Sequence, residues 1–189
     1  MKKEFIELTQ KAQAGDASAQ YSLGWHFANG FGWDDNDQQT HITDFSIAAR
    51  WFSAAALQNH VLALNKLASM YASGQGVALS LETAIHLWKR AAAQDDVIAE
   101  CSLGNAYFEI KSYPEAKLYF ERAAAKGNFY AQYHMGLLYE NGWGVEKNLT
   151  TAQSWYQKSA RQGYDLAKIK LQSIMPDEAQ TAIPREISI

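Results

Sequence analysis

Cysteine is almost missing from this sequence. Cys101 stands alone among 189 residues, so the chain can close no intramolecular disulfide and offers no cysteine-based structural zinc site. Proline is scarce too, three against twelve glycines, which leaves helices few forced interruptions. No run of about 18 apolar residues occurs, and Glu4 and Glu7 break up residues 1–9 as an apolar leader. A cytoplasmic protein with no membrane partner is therefore expected. Excess positive charge is also lacking: 17 Lys and Arg face 20 Asp and Glu, for a net charge of −3. Lys11, Lys66, Lys117 and Arg161 are dispersed rather than clustered, so no basic field gathers phosphates and no nucleic-acid partner is expected. At 48% hydrophobic and 20% charged residues, the composition is that of a folded chain.

What the sequence does have is an internal repeat. Ala, a large apolar residue four places on and usually Gly next recur as Ala19-Leu23-Gly24, Ala63-Leu67-Ala68, Ala99-Leu103-Gly104 and Ala131-Met135-Gly136. An aromatic follows each apolar residue at the same spacing: Phe27, Tyr71, Tyr107 and Tyr139. Spacing of four places these side chains along one helical stripe. A second stretch follows each, as Ala48-Trp51-Phe52, Ala84-Leu87-Trp88, Ala116-Tyr119-Phe120 and Ala152-Trp155-Tyr156, with small Ala55, Ala91, Ala123 and Ala160 beyond. Trp51, Trp88 and Trp155 are expected in the core.

Each second stretch ends at a residue that tolerates a left-handed backbone: Asn59, Asp95, Gly127 and Gly163, with Gly15 closing an earlier one. These markers stand 44, 36, 32 and 36 residues apart, the period of helix-pair solenoids. The organisation expected is a capping helix in 1–15, repeats at 16–59, 60–95, 96–127 and 128–163, a closing helix at 164–175 and a tail at 176–189. No sheet is expected. The connection inside the first repeat (Phe27 to Ala48) is lengthened, and that inside the third (Tyr107 to Ala116) is trimmed.

Turns elsewhere carry paired glycines: Gly30-Phe31-Gly32, Gly74-Gln75-Gly76-Val77 and Gly142-Trp143-Gly144-Val145. With no strand before them and no Gly-Lys-Ser/Thr after, they read as turns and not as phosphate loops. Trp33 and Trp143 fall in these turns and are expected to fold back on a neighbouring repeat. Asp34-Asp35-Asn36-Asp37 lacks the glycine and final glutamate of an EF-hand and reads as a solvated acidic loop.

The form A-x-x-x-L-G-x-x-Y, a G-x-G-V turn, then A-x-x-W-Y-x-K-A-A ending in Gly resembles the Sel1-like repeat family, relatives of tetratricopeptide repeats. Ala131-Gln132-Tyr133-His134-Met135-Gly136, Gly142-Trp143-Gly144-Val145 and Trp155-Tyr156-Gln157-Lys158-Ser159-Ala160 carry the likeness most fully. The resemblance covers about residues 3–175. It implies an all-α solenoid of antiparallel helix pairs in a right-handed superhelix, with about four repeats plus capping helices. First helices would line a concave face.

By analogy with tetratricopeptide repeats, that face would present Tyr21, Trp25 and Asn29, then Asn65 and Ser69, then Asn105 and Glu109, then Tyr133, Leu137 and Asn141. Aromatics supply anchors, and asparagine can bond an extended backbone as donor and acceptor. No Lys or Arg stands among these positions, so a clamp for a terminal carboxylate is not expected.

No enzyme is expected. His26, His41, His60, His86 and His134 form no H-E-x-x-H pair, no G-x-S-x-G occurs, and neither a metal nor a cofactor is implied. The function expected is a non-enzymatic module binding a partner protein or peptide. An immunity protein neutralising a bacterial toxin is the narrower alternative. A β-lactamase-like hydrolase is the third, without the paired cysteines of the Sel1-like proteins that suggest it. Loop 33–44 and tail 177–189 stay open as rival binding segments.

Overall fold

A computed structural model describes residues 2–30, 32–33, 39–40 and 43–174. Short polar side chains decide where the helices begin. Asp16, Asp44, His60, Ser80, Asn128 and Asn148 each accept the backbone N–H three residues ahead, closing a first turn that otherwise has unpaired donors. Asp96 does the same for Ala99, at 2.7 Å.

Ten helices result among the described residues: α1 (Lys2–Gln13), α2 (Ala17–Ala28), α3 (Phe45–Leu57), α4 (Val61–Ser73), α5 (Leu81–Ala92), α6 (Val97–Glu109), α7 (Tyr113–Ala125), α8 (Phe129–Asn141), α9 (Leu149–Arg161) and α10 (Asp165–Ile174). This is the all-α solenoid of helix pairs anticipated from the repeats. None of these helices is long and apolar enough to cross a membrane. One departure from a purely helical chain lies in the lengthened connection, where β1 (Gly32–Trp33) pairs antiparallel with β2 (Gln39–Thr40). The expectation of no sheet is corrected to that extent: the two ends of the insertion meet and exchange backbone hydrogen bonds, in the register Gly32 to Thr40 and Trp33 to Gln39. Segment 34–37, His41, the Trp33 side chain and tail 176–189 lie outside the described residues.

The chain divides into two compact units, Met1–Ala99 and Glu100–Ile189. In the first, α1 packs on α2, α2 on α3, α3 on α4 and α4 on α5. In the second, α7 packs on α8, α8 on α9 and α9 on α10.

All five marker residues adopt positive φ: Gly15 at 99°, Asn59 at 60°, Asp95 at 64°, Gly127 at 87° and Gly163 at 90°. The trimmed third connection turns on Lys111, also at positive φ (61°), in place of a paired-glycine loop. Glutamines just before three of the markers lock repeat to repeat. Gln58 donates to the Gly15 carbonyl and to Gln20 Oε1, both at 2.9 Å, and Gln94 donates to Asn59 O at 3.0 Å. In the second unit Gln162 repeats the pattern, donating to Gly127 O (2.9 Å) and Gln132 Oε1 (2.8 Å).

The core is built from the expected stripes. Leu23, Leu67, Leu103 and Met135 are buried, as are Ala48, Ala84, Ala116 and Ala152. The bulky pairs of the second helices behave differently from the expectation. Phe52, Leu87, Trp88, Phe120 and Tyr156 are buried, whereas Trp51, Tyr119 and Trp155 are only half-buried. Phe52, Trp88, Phe120 and Tyr156 stand four residues after the small Ala and share its face; Trp51 and Trp155, three after it, lie at the edge of that face, and Trp51 still packs on the cluster of Ala12, Ala19 and Leu23. Ser159, not Ala160, continues the series Ala55, Ala91 and Ala123: it is fully buried, and its hydroxyl donates to Phe129 O at 2.7 Å.

The Leu-Gly or Met-Gly pair that recurs in three of the first helices now has its cause. A Cβ at Gly24 would come 2.8 Å from the Phe52 ring, and one at Gly104 would come 2.5 Å from Phe120. Glycine there seats the aromatic of the facing helix.

Candidate functional site

The first-helix surface of each unit is the candidate site, and its residues sort themselves by what their polar atoms already bond. In the first unit, Tyr21, Trp25 and Asn29 follow one another by four along α2. Tyr21 is half-buried, stacked on the His60 ring at 5.1 Å and tilted against Phe52. Trp25 is 41% exposed, with its edge against His26. Exposed Asn29 ends α2 and donates to Trp25 O at 2.7 Å.

On α4, Ser69 is exposed, and its hydroxyl donates to Asn65 O at 3.0 Å. Asn65 departs from its expected role. It is buried, and its amide donates to Asp96 Oδ1 at 2.8 Å, the same oxygen that caps Ala99. A side chain committed to a cap 31 residues away holds the fold and presents little to a partner.

In the second unit, Tyr133, Leu137 and Asn141 form the corresponding line on α8. Tyr133 and Leu137 are half-buried over the cluster of Ala152, Tyr156 and Ala167. Asn141 is exposed and donates to Leu137 O at 2.9 Å, as Asn29 does on α2. Half-buried Asn105 on α6 accepts the Tyr130 hydroxyl at 2.9 Å, and Glu109 is exposed one turn further on. Tyr130 and Tyr164 were not singled out by spacing, yet Tyr164 borders Tyr133 and Tyr130 borders Tyr164. Tyr164 meets Tyr133 edge-on at 5.2 Å and Tyr130 at 6.4 Å. The signal for Tyr164 was its place directly after the Gly163 stop.

The tyrosines of this surface are held as neutral phenols. Burial pushes the Tyr130 phenol up to about 12, helped by nearby Cys101, Tyr164, Glu109 and Tyr133. Burial also raises Tyr133, partly opposed by Lys170. Glu140 is held from two sides: it accepts the Tyr156 hydroxyl on Oε2 and Lys170 Nζ on Oε1 at 2.9 Å. The Cys101 thiol is raised to about 11 by burial and points at Asn128 Oδ1, 3.5 Å away, so it is protonated at neutral pH and is a weak nucleophile. Beneath the surface, the His134 ring stacks on Phe120 at 4.7 Å, and burial lowers it to about 4. Among the described residues, no group of three or more His, Cys, Asp or Glu could hold a metal ion. The arrangement can hold a ligand by contact and hydrogen bonding.

Trp143 folds back as expected of a turn tryptophan, stacking on Tyr113 at 5.4 Å and meeting Phe108 edge-on at 5.5 Å. Beneath it, a Cβ at Gly144 would come 2.8 Å from Tyr113 Cβ, so the turn is pressed against the start of α7.

A family model described as Sel1 repeat matches residues 17–60, 61–96, 99–128 and 129–164. Chitin synthase regulatory factor 3 of Schizosaccharomyces pombe is 32% identical over 137 residues, which is 69% of this chain and 15% of that protein. DAP3-binding cell death enhancer 1 of Rattus norvegicus is 35% identical over 100 residues, 52% of this chain and 20% of that protein. The chain thus spans a fifth or less of either relative. Among solved structures, a Sel1 repeat protein from Oxalobacter formigenes superposes with a TM-score of 0.76 at 26% identity, covering 96% of this chain and 70% of that one.

Proposed function

The chain belongs to the Sel1 repeat family, and from that premise we propose that it is a non-enzymatic module that binds a partner protein or peptide through the first-helix surfaces of its repeats. The observation that carries this reading is the line of Tyr133, Leu137 and Asn141 on α8, flanked by Asn105 and Glu109 on α6. Half-exposed aromatic and aliphatic side chains there alternate with amide groups. The packing stripe of the same helix is Ala131, Met135 and Leu138, all fully buried, while Tyr133 and Leu137 pack their inner sides on the core and leave outer surface open. Rigid aromatics with satisfied backs and open faces make good anchors, since little side-chain freedom is lost on binding. In the first unit Tyr21, Trp25, Asn29 and Ser69 offer the same mixture.

Two features of the relatives agree with this reading. One is named for regulating chitin synthase and the other for binding DAP3, and both names describe action on another protein. Catalysis finds no support in the raised Cys101 thiol or in His134, walled in by rings.

The experiment is affinity capture from lysate of the native cell, with the full chain and its Tyr133→Ala and Leu137→Ala variants as baits, read by mass spectrometry. A partner retained by the parent and lost from both variants is expected. A partner retained equally by all three baits would overturn the assignment of this surface.

A further inference from the structure

The outer faces of the second helices keep a common register. The position three after the small Ala holds half-buried Trp51, Tyr119 and Trp155 and buried Leu87, and three residues further on stand Ala54, Arg90, Arg122 and Lys158. In α9 the Lys158 ammonium lies 4.1 Å from the centre of the Trp155 ring, and in α7 the Arg122 guanidinium lies 5.7 Å from that of Tyr119. A cation over the ring face covers these aromatics. In α5, Arg90 bridges to the end of α3, donating to Ala56 O and Asn59 Oδ1 at 2.6 and 2.7 Å. Only α3 has alanine at this place, and among the described residues no cation covers Trp51.

The neighbouring positions deviate in the same direction. Leu57 is 79% exposed where the other repeats have Ala93, Ala125 and Arg161, and Leu79 is 70% exposed where the fourth repeat has Lys147. A depression of about 310 Å³ lies over α3, lined by Ile47, Arg50, Trp51 and Ala54. A shallower one of about 400 Å³ continues past Leu57 to Val77 on the turn before α5. Leu57 and Leu79 thus put apolar surface at positions that are charged or small in the other repeats, and packing does not explain it. Arg50 lines both depressions and is their only charged side chain among the described residues, where no carboxylate pairs with it.

We propose that the outer face of α3 is a second docking surface, which takes a partner-protein segment whose apolar side chains flank an aspartate or glutamate. The apolar groups cover Trp51, Ala54 and Leu57, and the carboxylate meets the Arg50 guanidinium, a planar donor fork suited to it. A basic segment would bring a second cation beside Arg50 and is disfavoured. This surface is separate from the first-helix face and does not depend on it.

The test is selection of phage-displayed random dodecapeptides on the immobilised full chain, with clones then measured against three variants. Ala54→Arg installs the cation that three other repeats carry at this half-buried position, and a thermal melt checks that the fold is kept. Arg50→Glu reverses the one charge. Tyr133→Ala reports on the first-helix face. Trp51→Ala is avoided because Trp51 also packs against the cluster of Ala12, Ala19 and Leu23. Clones are expected that carry Asp or Glu within a few residues of Leu, Phe or Trp, lose at least about ten-fold in affinity on Ala54→Arg and on Arg50→Glu, and keep it on Tyr133→Ala. Three outcomes would overturn the proposal: no clone that distinguishes parent from Ala54→Arg, discriminating clones with basic motifs, or sedimentation showing a dimer that Ala54→Arg dissolves, which would make a second copy the occupant.

Discussion

The ring of Tyr156 rests directly on Gly136: a Cβ at that glycine would stand 2.4 Å from Tyr156 Cε1, closer than carbon atoms approach. The pair fixes how nearly α8 and α9 can come together, and Tyr156 is fully buried as a result. Tyr156→Ala should therefore cost about 3–5 kcal/mol, the range for emptying an aromatic core site. Trp155→Ala, at the half-buried neighbouring position, should cost about 1 kcal/mol, in line with partly exposed sites. Gly136→Ala should destabilise as well, because the two helices must part to admit one methyl. Urea unfolding of the three variants checks this, and a Trp155→Ala loss equal to that of Tyr156→Ala would contradict it.

The stripes, the two-helix repeat and the five helix stops were legible in the sequence because local rules set them: helical period for the stripes, tolerance of positive φ for the stops. The choice between Trp155 and Tyr156 as the core residue was not, since adjacent aromatics have the same chemistry and only the facing Gly136 selects one. The β1–β2 ribbon was hidden because two residues a side are too few to show alternation. At the candidate site, Tyr133 and Leu137 followed from spacing. The commitment of Asn65 to Asp96 did not, because a hydrogen bond between repeats leaves no mark within either one.

The paired glutamines carry a second prediction. Gln162 donates one amide group to both Gly127 O and Gln132 Oε1. Gln162→Ala removes both contacts and leaves Gln132, itself buried, without its acceptor's partner. A loss of about 1–2 kcal/mol is expected. Gln58→Ala should lose a similar amount, because Gln58 makes the same two contacts with Gly15 O and Gln20 Oε1. Chemical denaturation midpoints measure both, and an unchanged midpoint for either would show that water replaces the glutamine at no cost.

Acid should weaken the second unit through His134. Its Nδ1 has no hydrogen-bond partner, the rings of Phe108, Phe120 and Tyr130 surround it, and burial lowers it to about 4. An unfolded chain protonates histidine near 6.5. Between about 6.5 and 4 the unfolded state holds the extra proton, so this contribution to stability is complete above 6.5, declines as pH falls and is gone below 4. The loss amounts to about 3 kcal/mol. His134→Phe keeps a ring on Phe120 without a titrating group. Its stability should fall less than the parent's between pH 7 and pH 4.5 in matched urea titrations, and equal falls would rule His134 out as the cause.

Binding through the first-helix surface makes unequal demands on its residues, and that inequality is the sharpest test of it. Tyr133 and Leu137 are backed by the Ala152–Tyr156–Ala167 cluster, so their outer faces are held rigid and lose little freedom when covered. Alanine at either, or at the exposed Trp25 of the first unit, should weaken a captured partner by about 2 kcal/mol or more if it is a buried anchor. Asn105 already accepts the Tyr130 hydroxyl, and Asn141 already donates to Leu137 O. Each has only part of its amide left for a partner, and alanine there should cost about 1 kcal/mol, as for a neutral hydrogen bond exchanged with water. Asn65→Ala should instead lower stability while leaving affinity close to the parent's, because Asn65 bonds Asp96 and not the ligand. Calorimetric titration of the six single variants, each paired with a thermal melt, separates the two kinds of effect. Parent-like binding in all of them, with binding abolished by changes in 33–44 or 177–189, would reduce the repeats to a platform for those segments.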